Sequence, residues 1–375
     1  MKASFADILR EVSGEGLKKV LAKVPSWSEA EGLVIPGSLS TEQCSSEETA
    51  MTKARAVSEL GCRRVADLTG GLGVDSWAFA GVCGEVLYNE MNPSLVDAAR
   101  HNFAALGVDN VRFSNAETLP GSIAGILGDF RPDLIFLDPA RRSGSGRKVF
   151  RLEDCSPDVL KLKEELLLAA PRVMMKLSPM ADISLAAAEL GNHVSDVIVS
   201  GSGGECKELL VLMDRQEHLE YRISVVEKGS VFSFLPSEEA AASPRPGVPS
   251  HKLLFEPGKA LLKSGAFRLT GSLEGMYKAG SSTHLYFCDE IHPSLAGLGK
   301  WFSIDRVEIL NNRTIREAGK LNPHCEVTAR NLQMSSEQLR KKMGCASGGT
   351  AHIFAFRCDA SGEKLLVTTT RIISV

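Results

Sequence analysis

The stretch Val65-Ala66-Asp67-Leu68-Thr69-Gly70-Gly71-Leu72-Gly73-Val74-Asp75 decides the fold. Residues 64–68, with Val65, Ala66 and Leu68 apolar, read as a strand. It breaks into a turn carrying Gly70, Gly71 and Gly73, and a helical pattern follows at 75–82. Glycines between a strand and a helix let backbone approach a ligand with no Cβ in the way. Asp67 stands just before that turn, where it can order the turn or meet a ligand ammonium through water.

Outward from this unit the texture repeats. Strand patterns at 85–89, 110–114, 133–137, 172–177, 194–200 and 208–213 alternate with helical patterns at 93–106, 123–127, 157–170 and 183–190. Strands separated by helices predict a doubly wound α/β sheet whose ligand sits beyond the carboxyl ends of the strands. Residues 1–60 read as a helical segment: Ile8, Leu9 and Val12, then Leu17, Val20 and Leu21, fall at helical spacings. Ser45 with Glu48 fits a capping box for a helix over 49–60. After Met213 the alternation weakens, and 237–250 reads as a linker rich in Pro, Ala, Gly and Ser. Beyond it, strand patterns at 283–288, 306–310, 326–329, 351–357 and 364–371 and a helix at 335–343 predict an α+β region.

Composition narrows the function classes. With 375 residues, 43% hydrophobic and 24% charged, the chain has material for two or three domains. A net charge of -3 gives no general attraction to nucleic acid, so a nucleic-acid partner needs a local basic patch. Nine cysteines without a CxxC pair point to a reducing compartment and away from zinc or disulfides. The first residues mix charges with apolar side chains, unlike a signal peptide, and no run is long enough for a membrane span. The expected location is cytoplasmic. The histidines lack metal-ligand spacing, and no metal is expected.

Candidate chemistry gathers at strand ends. Glu90 follows the second strand about 20 residues after the glycine turn, where a carboxylate can accept both ribose hydroxyls; by itself it also reads as a helix-capping or surface carboxylate. Asn115, Ala116 and Glu117 end the third strand, either beside an adenine edge or as an ordinary loop. Leu134-Ile135-Phe136-Leu137-Asp138-Pro139 runs a buried strand into a carboxylate stiffened by proline. Asp138 can accept a hydrogen bond from a substrate amine or hydroxyl, or take its proton. Arg141, Arg142, Arg147, Lys148 and Arg151 form a basic cluster suited to phosphates, or a solvated loop. Cys155 is read as a buried structural thiol, and Trp27, Trp77 and Trp301 as core or hinge residues. Ser347-Gly348-Gly349-Thr350 is read as a turn.

The series Asp67…Gly71-Leu72-Gly73, Glu90, Asn115-Ala116-Glu117 and Asp138-Pro139 resembles the motifs of class I S-adenosylmethionine-dependent methyltransferases. More closely, Lys23-Val24-Pro25-Ser26-Trp27, Glu42-Gln43-Cys44-Ser45-Ser46-Glu47-Glu48-Thr49-Ala50 and Leu137-Asp138-Pro139-Ala140-Arg141-Arg142 resemble bacterial methyltransferases with a C-terminal THUMP-like domain. The resemblance implies a Rossmann-like methyltransferase sheet with an antiparallel last strand. It implies a helical segment at 1–60, the cofactor domain at 61–215, a linker and ferredoxin-like region at 216–300, and a THUMP-like domain at 301–375. It also implies S-adenosylmethionine as cofactor, with Thr69, Gly70, Gly71, Gly73 and neighbouring Asp67 and Asp75 along its methionine part. Glu90 would lie on the ribose, Asn115, Ala116 and Glu117 at the adenine, and Ser46 and Thr49 closing over it. Asp138 and Pro139 would form the catalytic motif, Arg141 and Arg142 would hold substrate phosphate, and RNA is the implied substrate. Two departures stand out. Thr69 replaces a common first glycine, and Ala140-Arg141 follows Asp138-Pro139 where amino-methylating relatives carry proline and an aromatic. The second departure supports an alternative, an RNA-binding protein that kept the fold without catalysis.

Overall fold

The computed structural model describes residues 14–141 and 151–373. The expected helix around Ile8, Leu9 and Val12 lies outside the described residues, as do Arg142, Arg147 and Lys148. The chain divides into two compact units. The first holds the described residues up to Ser200 together with Lys207–Tyr221; the second holds Gly201–Cys206 and the described residues from Arg222 onward.

The first unit opens with helices α1 (Gly14–Lys23) and α2 (Glu47–Glu59). Strands and helices then alternate: β1 (Arg64–Asp67), α3 (Val74–Ala80), β2 (Glu85–Asn89), α4 (Pro93–Ala105) and β3 (Val111–Ser114). The series continues with α5 (Ile123–Leu127), β4 (Leu134–Leu137), α6 (Val159–Ala169), β5 (Arg172–Leu177), α7 (Ile183–Leu190), β6 (Val194–Ser202) and β7 (Glu205–Asp214). Their order across the sheet is β6-β7-β5-β4-β1-β2-β3. The pairs β1–β2, β2–β3, β1–β4 and β4–β5 are parallel, and β7 joins β5 antiparallel. The direction of the chain therefore reverses on either side of β1, which opens a crevice at the carboxyl ends of β1 and β4. Every residue of β4 is buried, as a strand covered on both faces must be.

The apolar face of α1 and the Pro25–Glu29 turn seat Trp27, fully buried and edge-on to Trp77 of α3 at 6.0 Å. One expectation needs correction here. The cap of α2 is Ser46, one residue later than the Ser45–Glu48 box: the Thr49 amide donates to Ser46 Oγ at 3.3 Å. Ser45 is turned inward instead, donating to Asp75 Oδ2 at 2.9 Å.

The second unit contains an antiparallel hairpin, β8 (Arg222–Glu227) and β9 (Ser230–Phe234). Its sheet comprises β10 (Leu253–Pro257), β11 (Tyr277–Lys278), β12 (Tyr286–Cys288), β13 (Gly299–Ile309), β14 (Glu326–Arg330), β15 (Ala351–Arg357) and β16 (Lys364–Ile372). They are ordered β11-β12-β10-β13-β16-β15-β14. Helix α8 (Asn312–Leu321) follows β13, and α9 (Ser336–Met343) follows β14. The period-two pattern of β15 serves two cores. Ile353 and Ala355 pack with Ile315 of α8 and Leu339 of α9, while Phe354 and Phe356 join Phe287 and Phe302 on the other face. β13 pairs with β10 on one side and β16 on the other, so a single sheet runs across residue 300. The expected linker at 237–250 is shorter than its composition suggests, because Pro236–Ala241 is helical.

Candidate active site

A cleft of about 920 Å³ opens at the carboxyl ends of the parallel strands, within the roughly 300–1,000 Å³ usual for small-molecule sites. The loop after β1 supplies Thr69, Gly70 and Gly71; the loop after β2 supplies Glu90 and Asn92; the loop after β3 supplies Ala116 to Thr118. Asp138 and Ala140 reach it from the end of β4, Lys176 from β5, and Gln43 to Ser45 from the segment before α2.

The glycines of the turn have different tasks. A Cβ on Gly70 would meet the Tyr88 ring at 2.2 Å, and one on Gly73 would meet Phe103 at 2.9 Å. These two let the turn pack down on β2 and α4. Gly71, at φ +55°, faces open space, its nearest neighbour being the Thr69 carbonyl at 3.9 Å. It is the position where backbone lies bare to the cleft. Thr69 has no positive φ. Its hydroxyl accepts from the Asp138 amide at 2.6 Å, tying the turn after β1 to the motif after β4. That bond gives a threonine a use where a glycine is common.

Glu90 accepts from the Gly71 amide at 3.0 Å and from the Asn92 amide at 2.9 Å, one bond per carboxylate oxygen. Each oxygen keeps a lone pair for a further donor. Asn115 is exposed and donates to the Glu90 and Met91 carbonyls at 2.7 and 3.1 Å, so it fastens the loop that carries Glu90. Buried Asn89 does similar work beneath, donating to the Leu68 and Ala116 carbonyls. Asp67 lies below the turn, 1% exposed, accepting from the Thr69 amide at 3.0 Å and the Ser76 hydroxyl at 2.6 Å. Burial pushes its carboxyl up to about 7. Among the predicted residues, Thr69, Gly70, Gly71, Asp75, Glu90, Ala116, Glu117 and Asp138 line the cleft. Asp67, Gly73, Ser46, Thr49, Asn115 and Pro139 are not among the lining residues. Arg142 falls outside the described residues; of Arg141 only the backbone is described, pairing with Cys155. Cys155 is fully buried.

Sequence reasoning missed a set of charges that runs from the cleft, at Asp75, Asp138 and Lys176, into the core, at Lys53 and Glu208. Lys53 of α2 has no exposed surface; its ammonium lies 2.9 Å from both oxygens of Glu208 on β7 and 3.2 Å from Asp75 Oδ1. Burial opposes that charge, but Asp75 and Glu208 outweigh it and hold the ammonium above the ordinary lysine range. Lys176 Nζ donates to Asp138 Oδ2 at 2.6 Å, inside the cleft. Here too burial opposes the charge, and Asp138, Asp75 and Glu208 hold it. The only signal in the sequence was a lysine inside Met174-Met175-Lys176-Leu177 and a glutamate opening Glu208-Leu209-Leu210, polar residues where a strand core wants none. No group of three or more His, Cys, Asp or Glu suited to a metal ion occurs among the described residues. None of the described helices is long and apolar enough to cross a membrane.

Comparison with known proteins decides the family. Residues 253–295 match a ferredoxin-like domain model and residues 299–371 a model described as THUMP domain-like. A crystal structure of a candidate methyltransferase from Porphyromonas gingivalis superposes with a TM-score of 0.83 at 30% identity, covering 95% of this chain and 88% of the other. The chain belongs to the bacterial class I S-adenosylmethionine-dependent methyltransferases with a C-terminal THUMP-like domain. Two uncharacterized S-adenosylmethionine-dependent methyltransferases, from two strains of Mycobacterium tuberculosis, are each 22% identical over 340 residues, covering 86% of this chain and 89% of theirs. The methyltransferase therefore uses S-adenosylmethionine. The cleft suits that cofactor: bare backbone at Gly71, spare acceptor capacity on Glu90 and an open volume of about 920 Å³ lie together.

Proposed function

We propose that this methyltransferase acts on RNA, with Asp138 orienting the acceptor and the second unit adding affinity for the nucleic acid. The observation that carries the reading is the convergence of Gly71, Glu90 and Asp138 on one cleft, joined in the same chain to a THUMP domain-like segment at 299–371. THUMP domains help enzymes hold RNA, and the likeness of residues 299–371 to one supports the same role here.

When bound, the cofactor supplies an electrophilic methyl group on a sulfonium. The protein's tasks are then alignment and exclusion of water. Glu90 accepts the ribose hydroxyls on the lone pairs left by Gly71 and Asn92. Thr69, Gly70 and Gly71 border the methionine part, with Asp75 beyond them, and Ala116 and Glu117 flank the adenine. Ser46, Thr49, Asp67, Gly73 and Asn115 keep those walls in place. Pro139 stiffens the backbone after Asp138, which orients the acceptor and takes up its proton. Arg141 and Arg142 hold substrate phosphate.

Calorimetric titration with S-adenosylhomocysteine tests the cofactor half: Glu90→Ala should weaken binding about tenfold or more, the worth of a hydrogen bond to a charged group. Transfer of a labelled methyl group to RNA from cells lacking the gene tests the other half. Unchanged affinity in Glu90→Ala, or no label in any RNA, would overturn the corresponding half.

A further inference from the structure

We propose that the acceptor is a hydroxyl oxygen of an RNA ribose, and that Lys176 is a catalytic residue acting beside Asp138 on that oxygen. This rests on the RNA reading above and specifies the atom.

The geometry comes first. Asp138 directly follows β4 and Lys176 lies near the end of the neighbouring β5; Lys176 Nζ and Asp138 Oδ2 are 2.6 Å apart, with both side chains open to the cleft. The Lys176 side chain keeps 19% and the Asp138 side chain 31% of its surface, enough to touch a substrate in the cleft. Lys176 is the lone charged side chain among Val173, Met174, Met175 and Leu177, all buried. A lysine in that position costs desolvation, and the nearby carboxylates of Asp138, Asp75 and Glu208 keep it charged.

Acceptor chemistry then discriminates. An amine that attacks a methyl group gains positive charge, and an ammonium beside it raises that barrier. A ring carbon needs a thiolate partner. Cys44 is the thiol that lines the cleft, and burial holds its pKa up while it donates to the Thr41 carbonyl. Bases drawn out of their stack are commonly held against aromatic rings; apolar side chains such as Leu72, Met91 and Pro157 line the cleft, but no aromatic one does among the described residues. A hydroxyl gains negative charge as its proton departs, which is what an ammonium stabilises and a carboxylate assists. In the interior of an RNA chain the free hydroxyl is the 2′-OH.

The step balances. The hydroxyl oxygen bonds to the methyl carbon as the carbon–sulfur bond breaks, and that electron pair stays on sulfur. The hydroxyl proton passes to Asp138 and on to solvent. Lys176 keeps its protons and lowers the cost of charge on oxygen.

The test uses the full-length protein, S-adenosylmethionine with a labelled methyl group, and total RNA and DNA from cells lacking the gene. RNA is digested to nucleosides, and a second portion is treated with alkali. Label in 2′-O-methyl nucleosides and in alkali-resistant dinucleotides, with none in DNA, is the expected result. Lys176→Met should lose about a hundredfold or more in turnover, while S-adenosylhomocysteine affinity by calorimetry stays within about threefold. Should Lys176→Met not fold, Asp138→Asn must show the same loss with cofactor affinity kept. Label on a base nitrogen or carbon would overturn this inference and leave the RNA reading standing. No label in RNA would overturn both. Turnover within a few-fold of wild type in Lys176→Met would remove the lysine from the chemistry.

Discussion

Asp67 is a carboxyl whose environment opposes its charge. It is 1% exposed between the Thr69 amide and the Ser76 hydroxyl. Burial pushes its pKa up to about 7; Asp75 and Asp138 add to the rise, and the two hydrogen bonds only partly offset it. In the unfolded chain the same carboxyl ionises near the ordinary value of about 3.9. Between about pH 4 and 7 the native protein therefore binds more protons than the unfolded one, and this group's stabilisation is lost as pH rises. Asp67→Asn removes the group's titration and keeps an acceptor. Its stability relative to wild type, from urea unfolding, should rise with pH across that window, by about 1.4 kcal/mol per unit at the steepest. Burial also pushes Glu208 up, but that contribution is common to both proteins and cancels in the difference. A flat difference would mean that Asp67 is ionised in the fold. The sequence offered two roles for Asp67, ordering the turn or meeting a ligand, and its hydrogen bonds are those of the first. The cost of its burial was not legible, because it depends on what β4 and α3 bring against it.

At the scale of elements, the start of α2 illustrates how close a sequence reading comes and where it slips. Ser45 and Ser46 are adjacent and chemically identical, and a capping pattern fits the first. The structure uses the second as the cap and sends Ser45 to Asp75 and Lys53. Only their partners distinguish them, Asp75 of α3 and Lys53 of α2 itself for Ser45. Ser46→Ala should lower stability by about 1 kcal/mol, the worth of an N-cap, with little change in S-adenosylhomocysteine affinity. Ser45→Ala removes a bond at the wall of the cleft and should weaken that affinity more than Ser46→Ala does. Paired denaturant and calorimetric titrations check both, and the reverse ranking of affinities would mean that Ser46 is the one that meets the cofactor. The alternating strands and helices up to β7 were legible because each carries its own period and lies between glycine or proline breaks. The hairpin β8–β9 was not: it turns through Lys228 and Gly229, both at positive φ, and lysine is a poor announcement of such a turn. The same holds for the charges of the cleft. Glu90 and Asp138 follow strands directly and could be found, whereas Lys176 and Glu208 come together only through sheet order, and Lys53 meets Glu208 only through the packing of α2.

At the scale of the molecule, a net charge of -3 leaves the question of how an RNA would be held. Long-range attraction is weak, so the contacts must come from local clusters. In the second unit a groove of about 530 Å³ is lined by Leu310, Met334, Lys341, Lys342 and Lys364, among others. All three lysines are exposed. Lys341 lies 3.1 Å from Glu337, an exposed pair that a phosphate can displace at small cost. The groove lies within the THUMP domain-like segment at 299–371, where the RNA reading needs a basic surface. Replacing the three lysines by glutamine should weaken RNA binding at low salt and flatten its dependence on salt. If each contacts one phosphate of a single strand, the slope of log affinity against log salt falls by about 0.7 per lysine, roughly 2 in all. S-adenosylhomocysteine affinity should not change, because the cleft lies in the first unit. Filter binding across a salt series, with calorimetry on the same preparation, measures both. An unchanged slope would move the RNA contacts off this groove, to the basic cluster that follows Asp138 in the sequence.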